Sequence, residues 1–184
     1  MTYSGKDDTL KNVRRISTLL YWVCALAILF EISIIPLVIY APGWVEASTS
    51  QMTISVADVQ ALGGWQKIAT LAVMMIPSFV IAYGIYRLRK MFASFARNTI
   101  FNIEAIGHLK AFGIALIIQT LISPFTGAAS SALATFNRPE GERFMSIGLG
   151  NSDVHTLFLG GLIIVIAWVL GEAVRIEDEN RSFV

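Results

Sequence analysis

The chain has 184 residues, of which 55% are hydrophobic and only 15% are charged, and its mean hydropathy is +0.64. A soluble domain carries about 25% charged residues, so this composition excludes an ordinary water-soluble fold and predicts a membrane protein. The net charge of +1 is too small to indicate direct nucleic-acid binding, and a single cysteine allows no disulfide within the chain.

Four apolar segments are long enough to cross a bilayer as helices, which takes about 20 residues. They are residues 16–40, 68–86, 107–126 and 157–174. The first is expected to bend or end near Pro36. Only helices and closed barrels satisfy their backbone groups in lipid, and these segments lack the alternating polarity of barrel strands. We therefore predict an all-α integral membrane protein in which residues 1–184 form one four-span domain.

The distribution of basic residues predicts the orientation of the spans. Eleven of the fourteen Lys and Arg residues lie before the first span, in residues 87–110 or after the last span. Cytoplasmic segments carry an excess of Lys and Arg. We therefore expect both termini and the linker 87–106 to be cytoplasmic and the loops 41–67 and 127–156 to be external.

The linker has features of its own. Arg89, Lys90 and Arg97 are interleaved with apolar residues, which indicates a cytoplasmic extension of the second helix that lies on or leaves the membrane. Asn102 is the predicted N-cap of the third helix, and Glu104 lies in its first turn, where the helix dipole favours a negative charge.

Two stretches in the external loops alternate apolar and polar residues. Residues 51–56 and 143–150 each fit a half-buried strand. They predict either a small β cap over the helices or two irregular loops.

The linker YRLRKMFASFARNTIFNIEAIGHLKAFG and the tail GEAVRIEDENRSFV resemble bacterial membrane proteins with the domain of unknown function 2975. Ala105 stands where that family usually has Asn. The resemblance implies a four-span protein of the bacterial cytoplasmic (inner) membrane with no assigned reaction, and some members are encoded beside small helix-turn-helix regulators. The matching residues are Phe101 and Glu104 in the linker, Leu109, Lys110 and Gly113 at the start of the third span, and Glu172, Arg175, Glu179, Asn180 and Val184 in the tail.

Glu31 is the most unusual residue of the spans. It lies 16 residues beyond Arg15, roughly 24 Å along a helix, and a charge in the middle of the membrane costs about 2.5–3.5 kcal/mol. It is either a proton or cation relay or ligand contact, or a structural residue facing another helix or the outer headgroups. Gln119, at a similar height on the third span, is its candidate partner.

Other features of the spans are expected to serve packing. Pro77 and Ser78 lie near the middle of the second span, where a proline break can form a binding site but more often makes a packing kink. Gly160 and Gly161 would let the fourth helix approach a neighbour closely.

No sequence motif supports catalysis. There is no nucleophile elbow, phosphate loop, dinucleotide fingerprint or carboxylate pair. His108 and His155 have no further ligands at metal-binding spacing. We expect no enzymatic activity, no cofactor and no metal.

The polar residues with a recognisable pattern lie in the cytoplasmic linker and tail, whereas the spans contain few polar residues. This favours a non-enzymatic inner-membrane protein that acts through partners, as a membrane-bound regulator or an accessory subunit. The partners would be the bilayer and a cytoplasmic regulator or a larger membrane complex. The alternative is a small oligomeric transporter or channel that uses Glu31. The candidate interaction residues are Arg89, Lys90, Arg97, Glu104, Glu172 and Arg175.

Overall fold

The computed structural model describes residues 4–40, 62–97, 102–139, 141 and 143–182. These residues form four helices, α1 (Ser4–Tyr40), α2 (Gly64–Ala96), α3 (Ile103–Thr135) and α4 (Asn151–Ser182). All four are long and apolar enough to cross a membrane. The prediction of an all-α membrane protein with four transmembrane helices is confirmed.

The helices pack mainly in chain order, α1 on α2, α2 on α3 and α3 on α4. Large apolar side chains such as Phe30 and Phe158 are exposed, as expected of surfaces covered by lipid. The largest fully buried side chains are instead polar, for example Thr70, Thr120 and Ser131. Lipid is as apolar as leucine, so close packing and polar contacts decide which surfaces meet.

Glycines bring α3 and α4 together. A Cβ atom on Gly160 would lie 3.0 Å from the Gly113 carbonyl oxygen, and one on Gly113 would lie 2.9 Å from the Gly160 carbonyl oxygen. A Cβ atom on Gly161 would meet no atom of the described residues within 4 Å. The predicted packing role is therefore confirmed for Gly160 and wrong for Gly161, because Gly161 faces away from the neighbouring helix.

The prolines do not end the helices that contain them. α1 continues beyond Pro36 to Tyr40, and α2 and α3 continue beyond Pro77 and Pro124. A helix that ended in lipid would leave several backbone groups unpaired, whereas one proline removes a single hydrogen bond. The first helix thus continues for four residues after Pro36.

The segment 143–150, between α3 and α4, forms no strand. Its backbone is held by side chains of α3: the Phe144 N–H donates to Thr135 Oγ1 at 3.3 Å, and the Ser146 N–H donates to Ser131 Oγ at 3.0 Å. These hydroxyls take hydrogen bonds that a partner strand would otherwise make. Residues 51–56, the other half of the predicted β cap, lie outside the described residues.

The four helices extend further than the apolar segments within them. α2 has 33 residues and α4 has 32, about 50 Å each at 1.5 Å per residue, against about 30 Å for the hydrocarbon core. One end of the helix bundle is formed by the start of α1, the end of α2, the start of α3 and the end of α4. We call it the basic end. The other end is the opposite end.

Candidate functional site

The isolated carboxyl group of α1 contacts the neighbouring helix. Glu31 is partly buried, and its Oε1 accepts a 3.1 Å hydrogen bond from Ser78 Oγ on α2. Ser78 is buried and directly follows Pro77, which lacks the N–H that the Val73 carbonyl would normally accept. The contact therefore joins an ionisable side chain to α2 beside a backbone irregularity.

Glu31 lines a cavity of about 220 Å³ between α1, α2 and α3, which we call the Glu31 cavity. Gln119, its predicted partner, lines the same cavity, although no hydrogen bond joins these two side chains within the described structure. The polar residues of the wall are Glu31, Ser78, Gln119, Ser123, Thr126 and Ser130.

Two hydroxyl groups of this wall, those of Thr126 and Ser130, donate hydrogen bonds to carbonyl groups of their own helix. Thr126 Oγ1 donates to the Ser123 carbonyl at 3.0 Å, and Ser130 Oγ donates to the Gly127 carbonyl at 3.0 Å. A hydroxyl has one hydrogen and two lone pairs. With the hydrogen in use, Thr126 and Ser130 can serve a ligand only as acceptors.

A second, larger cavity of about 630 Å³ lies between α3 and the segment that leads into α4. Ser123 and Gly127 line both cavities. The larger one also borders Asp153, whose Oδ2 accepts a 2.7 Å hydrogen bond from the Gly150 N–H at the start of α4. The wall of the Glu31 cavity thus continues toward the opposite end.

At the basic end, the predicted interaction residues of α2 differ in accessibility. The Arg89 guanidinium lies 4.2 Å from the centroid of the Tyr21 ring and donates a hydrogen bond to the Tyr21 hydroxyl, which joins α2 to α1. Lys90 lies 4.9 Å from the Tyr86 ring on its own helix. Arg97 is exposed at the C-cap of α2. Arg89 therefore has a packing role that the sequence did not indicate.

The start of α3 has the predicted cap. Asn102 Oδ1 accepts a 3.1 Å hydrogen bond from the Glu104 N–H, which confirms Asn102 as the N-cap. The Glu104 carboxylate is exposed and lies 3.8 Å from Nε2 of the buried His108. The proximity of Glu104 and His108 was not expected from the sequence, although a spacing of four residues places them on one helix face.

The predicted interaction residues of α4 form a row of charges. Arg175 donates to Glu172 Oε1 and lies 3.8 Å from Glu179 Oε1. All three side chains are more than half exposed. They are accessible to a partner, and their spacing of three and four residues keeps them on one face of the helix.

The described residues contain no group of three or more His, Cys, Asp or Glu side chains that could hold a metal ion. Cys24 is a buried free thiol on α1. The described side chains of the Glu31 cavity offer hydrogen-bond acceptors grouped around one carboxylate.

Gln66 is the main polar residue that sequence reasoning missed. It is 1% exposed; its Oε1 accepts from the Gly63 N–H at 2.9 Å and from Asn137 Nδ2 at 2.8 Å, and its Nε2 donates to the Leu133 carbonyl at 3.1 Å. It joins the start of α2 to the end of α3. The sequence feature that could have indicated Gln66 is its position three residues after Gly63, which is the spacing of a capping box.

Together, the fold and the cavity define a multi-pass, all-α membrane protein with a polar cavity among three of its helices. The chain belongs to the family described as "Protein of unknown function (DUF2975)", whose family model matches residues 44–182. The match confirms the resemblance found in the linker and tail. It begins after α1, so Ser78 and Gln119 lie within it and Glu31 does not. No curated protein and no solved structure matches the chain.

Proposed function

We propose that the protein is a non-enzymatic protein of the bacterial inner membrane that acts through partners, as a membrane-bound regulator or an accessory subunit. In this proposal the basic end lies in the cytoplasm. The support is the charge distribution, since eleven of the fourteen Lys and Arg residues belong to segments of that end.

The observation that carries the proposal is the length of two helices at the basic end. α2 continues for ten residues after Tyr86, and α4 continues for eight residues after Val174, where the predicted apolar segments end. At 1.5 Å per residue these extensions measure about 15 and 12 Å. A helix that continues into water holds its side chains in fixed positions, so the exposed charges of Glu172 and Arg175 form a preorganised surface for a protein partner.

Photo-crosslinking tests this surface directly. A photoreactive amino acid would replace the exposed residues Arg97 and Asp178 in turn, and Phe158, which is exposed on the apolar part of α4, would be the matched control. We expect discrete protein adducts in cells from positions 97 and 178, and none of the same mass from position 158. If positions 97 and 178 yield no protein adduct, the proposal fails.

The orientation has its own test. In a Cys24→Ser background, a cysteine at Asn137 should react with an impermeant thiol reagent in intact cells, whereas a cysteine at Ser94 should react only after the cells are broken. The reverse pattern would place the basic end outside and remove the cytoplasmic surface from the proposal.

The alternative function is a small oligomeric transporter or channel. The observation in its favour is the hydrogen bond between Glu31 and Ser78, because ionisable residues within the membrane often mark transport pathways. Reconstituted vesicles should then show a proton or cation flux that Glu31→Gln abolishes. The absence of flux, or a flux that Glu31→Gln leaves unchanged, would eliminate this alternative.

A further inference from the structure

The charges around the Glu31 cavity select the class of its ligand. Among the described residues that line it, Glu31 is the single ionisable one, and these residues include no Lys, Arg or His to hold an anion. Divalent ions such as Ca²⁺ take six to eight oxygen ligands, usually with several carboxylates. One carboxylate in a low-dielectric region matches one positive charge.

The hydrogen-bond groups favour a ligand that donates. Ser78 gives its hydrogen to Glu31, and Thr126 and Ser130 give theirs to backbone carbonyls. These hydroxyl oxygens have acceptor capacity left, and Gln119 adds an amide oxygen. An ammonium group has three donors and no acceptor, so it complements this wall.

The volume and the apolar lining of the Glu31 cavity indicate a ligand larger than a single ion. A water molecule occupies about 30 Å³ of liquid volume, so a cavity of about 220 Å³ is several times larger than one small ion requires. Its apolar lining consists of Ile35, Met74 and Pro77. These residues can cover a short hydrocarbon or aromatic body.

We propose that the Glu31 cavity binds a small organic monocation, a primary ammonium ion with a compact apolar body. The ammonium group pairs with the Glu31 carboxylate and donates to Gln119 and to the hydroxyls of α3, while the apolar body packs against Met74 and Pro77. The inference concerns binding alone and does not depend on the proposed partner function.

The experiment uses the full chain in lipid nanodiscs and 4-fluorobenzylammonium as the probe, followed by ¹⁹F NMR line broadening. Empty nanodiscs measure partition into the lipid. We expect saturable broadening above that background. The Glu31→Gln variant should bind at least about tenfold more weakly, as expected for the loss of a charge-assisted hydrogen bond.

Two controls test whether the probe's charge and its position in the Glu31 cavity govern binding. The neutral probe 4-fluorobenzyl alcohol, tested on the unaltered chain, should also bind at least about tenfold more weakly, and this comparison holds even if Glu31→Gln fails to fold. Asp153→Asn, which keeps a capping side chain in the larger cavity, should leave binding of the ammonium probe unchanged. The absence of a saturable signal, equal binding of the two probes, an unchanged affinity in Glu31→Gln or loss of binding in Asp153→Asn would each overturn the proposal.

Discussion

The adjacent glycines of α4 allow a sharp test of how α3 and α4 pack. Gly160→Ala and Gly161→Ala add the same methyl group to neighbouring positions of one helix. At Gly160 the added atom would lie 2.9 Å from Ile117 Cγ1, 3.0 Å from the Gly113 carbonyl oxygen and 3.3 Å from Leu116 Cβ. At Gly161 it would meet no atom within 4 Å in the part of the chain that the structure describes.

The expected magnitudes follow from these distances. The backbone carbonyl of Gly113 cannot turn aside as the end of a flexible side chain can, so Gly160→Ala must push α3 and α4 apart by several tenths of an ångström. Forcing additional methyl groups into a packed interface costs about 1–3 kcal/mol. Gly161→Ala has no such cost, and alanine favours the helix over glycine by up to about 1 kcal/mol.

Reversible unfolding in mixed detergent micelles, followed by circular dichroism, measures both variants against the parent. We expect Gly160→Ala to lower the free energy of unfolding by about 1–3 kcal/mol, while Gly161→Ala leaves it unchanged or raises it slightly. Equal stabilities of the two variants would refute this account of the interface between α3 and α4.

Three further substitutions test polar contacts by the same unfolding assay. Gln66→Leu should lower the free energy of unfolding by about 2–3 kcal/mol, because the Gly63 N–H and the Leu133 carbonyl lose a buried partner; a loss below about 0.5 kcal/mol would mean that water or another group replaces it. Glu104→Ala should lower it by roughly 0.3–1 kcal/mol through the helix dipole with partner recovery unchanged, whereas full stability with a lost partner would reassign Glu104 to binding. Arg89→Ala should lower it by about 1–2 kcal/mol through the lost cation–π contact and hydrogen bond, and Arg89→Ala with parental stability would contradict its packing role.

The four membrane-crossing helices could be predicted because the bilayer imposes strong rules on sequence. A segment that crosses it must be apolar for about 20 residues, and this pattern is visible in one sequence. The ends of the helices obey weaker rules. α3 continues to Thr135, and the hydroxyls of Ser131 and Thr135 hold the segment that follows it. Such contacts depend on tertiary structure that hydropathy does not encode.

The depth of the candidate-site residues in the membrane could be predicted from the sequence, but the rotation of each helix about its own axis could not. Glu31 stands out as an isolated charge in an apolar segment, and counting residues along each helix places Gln119 at a similar depth. The hydrogen bond from Ser78 depends on which face α2 turns toward α1. In lipid, polarity alone leaves that rotation open, because apolar faces gain little from meeting each other.

Two polar contacts define how α1 lies against α2. Tyr21 meets Arg89 near the basic end, and Glu31 meets Ser78 within the membrane. The two residues of α1 are ten positions apart and those of α2 are eleven apart in the reverse direction, as expected for antiparallel neighbours. α1 is otherwise the least buried of the four helices, and its apolar surface gives no preference for one register in lipid. A sliding motion of α1 along α2 would therefore break both contacts together, so the position of the Glu31 cavity wall and the position of α1 at the basic end depend on the same interface.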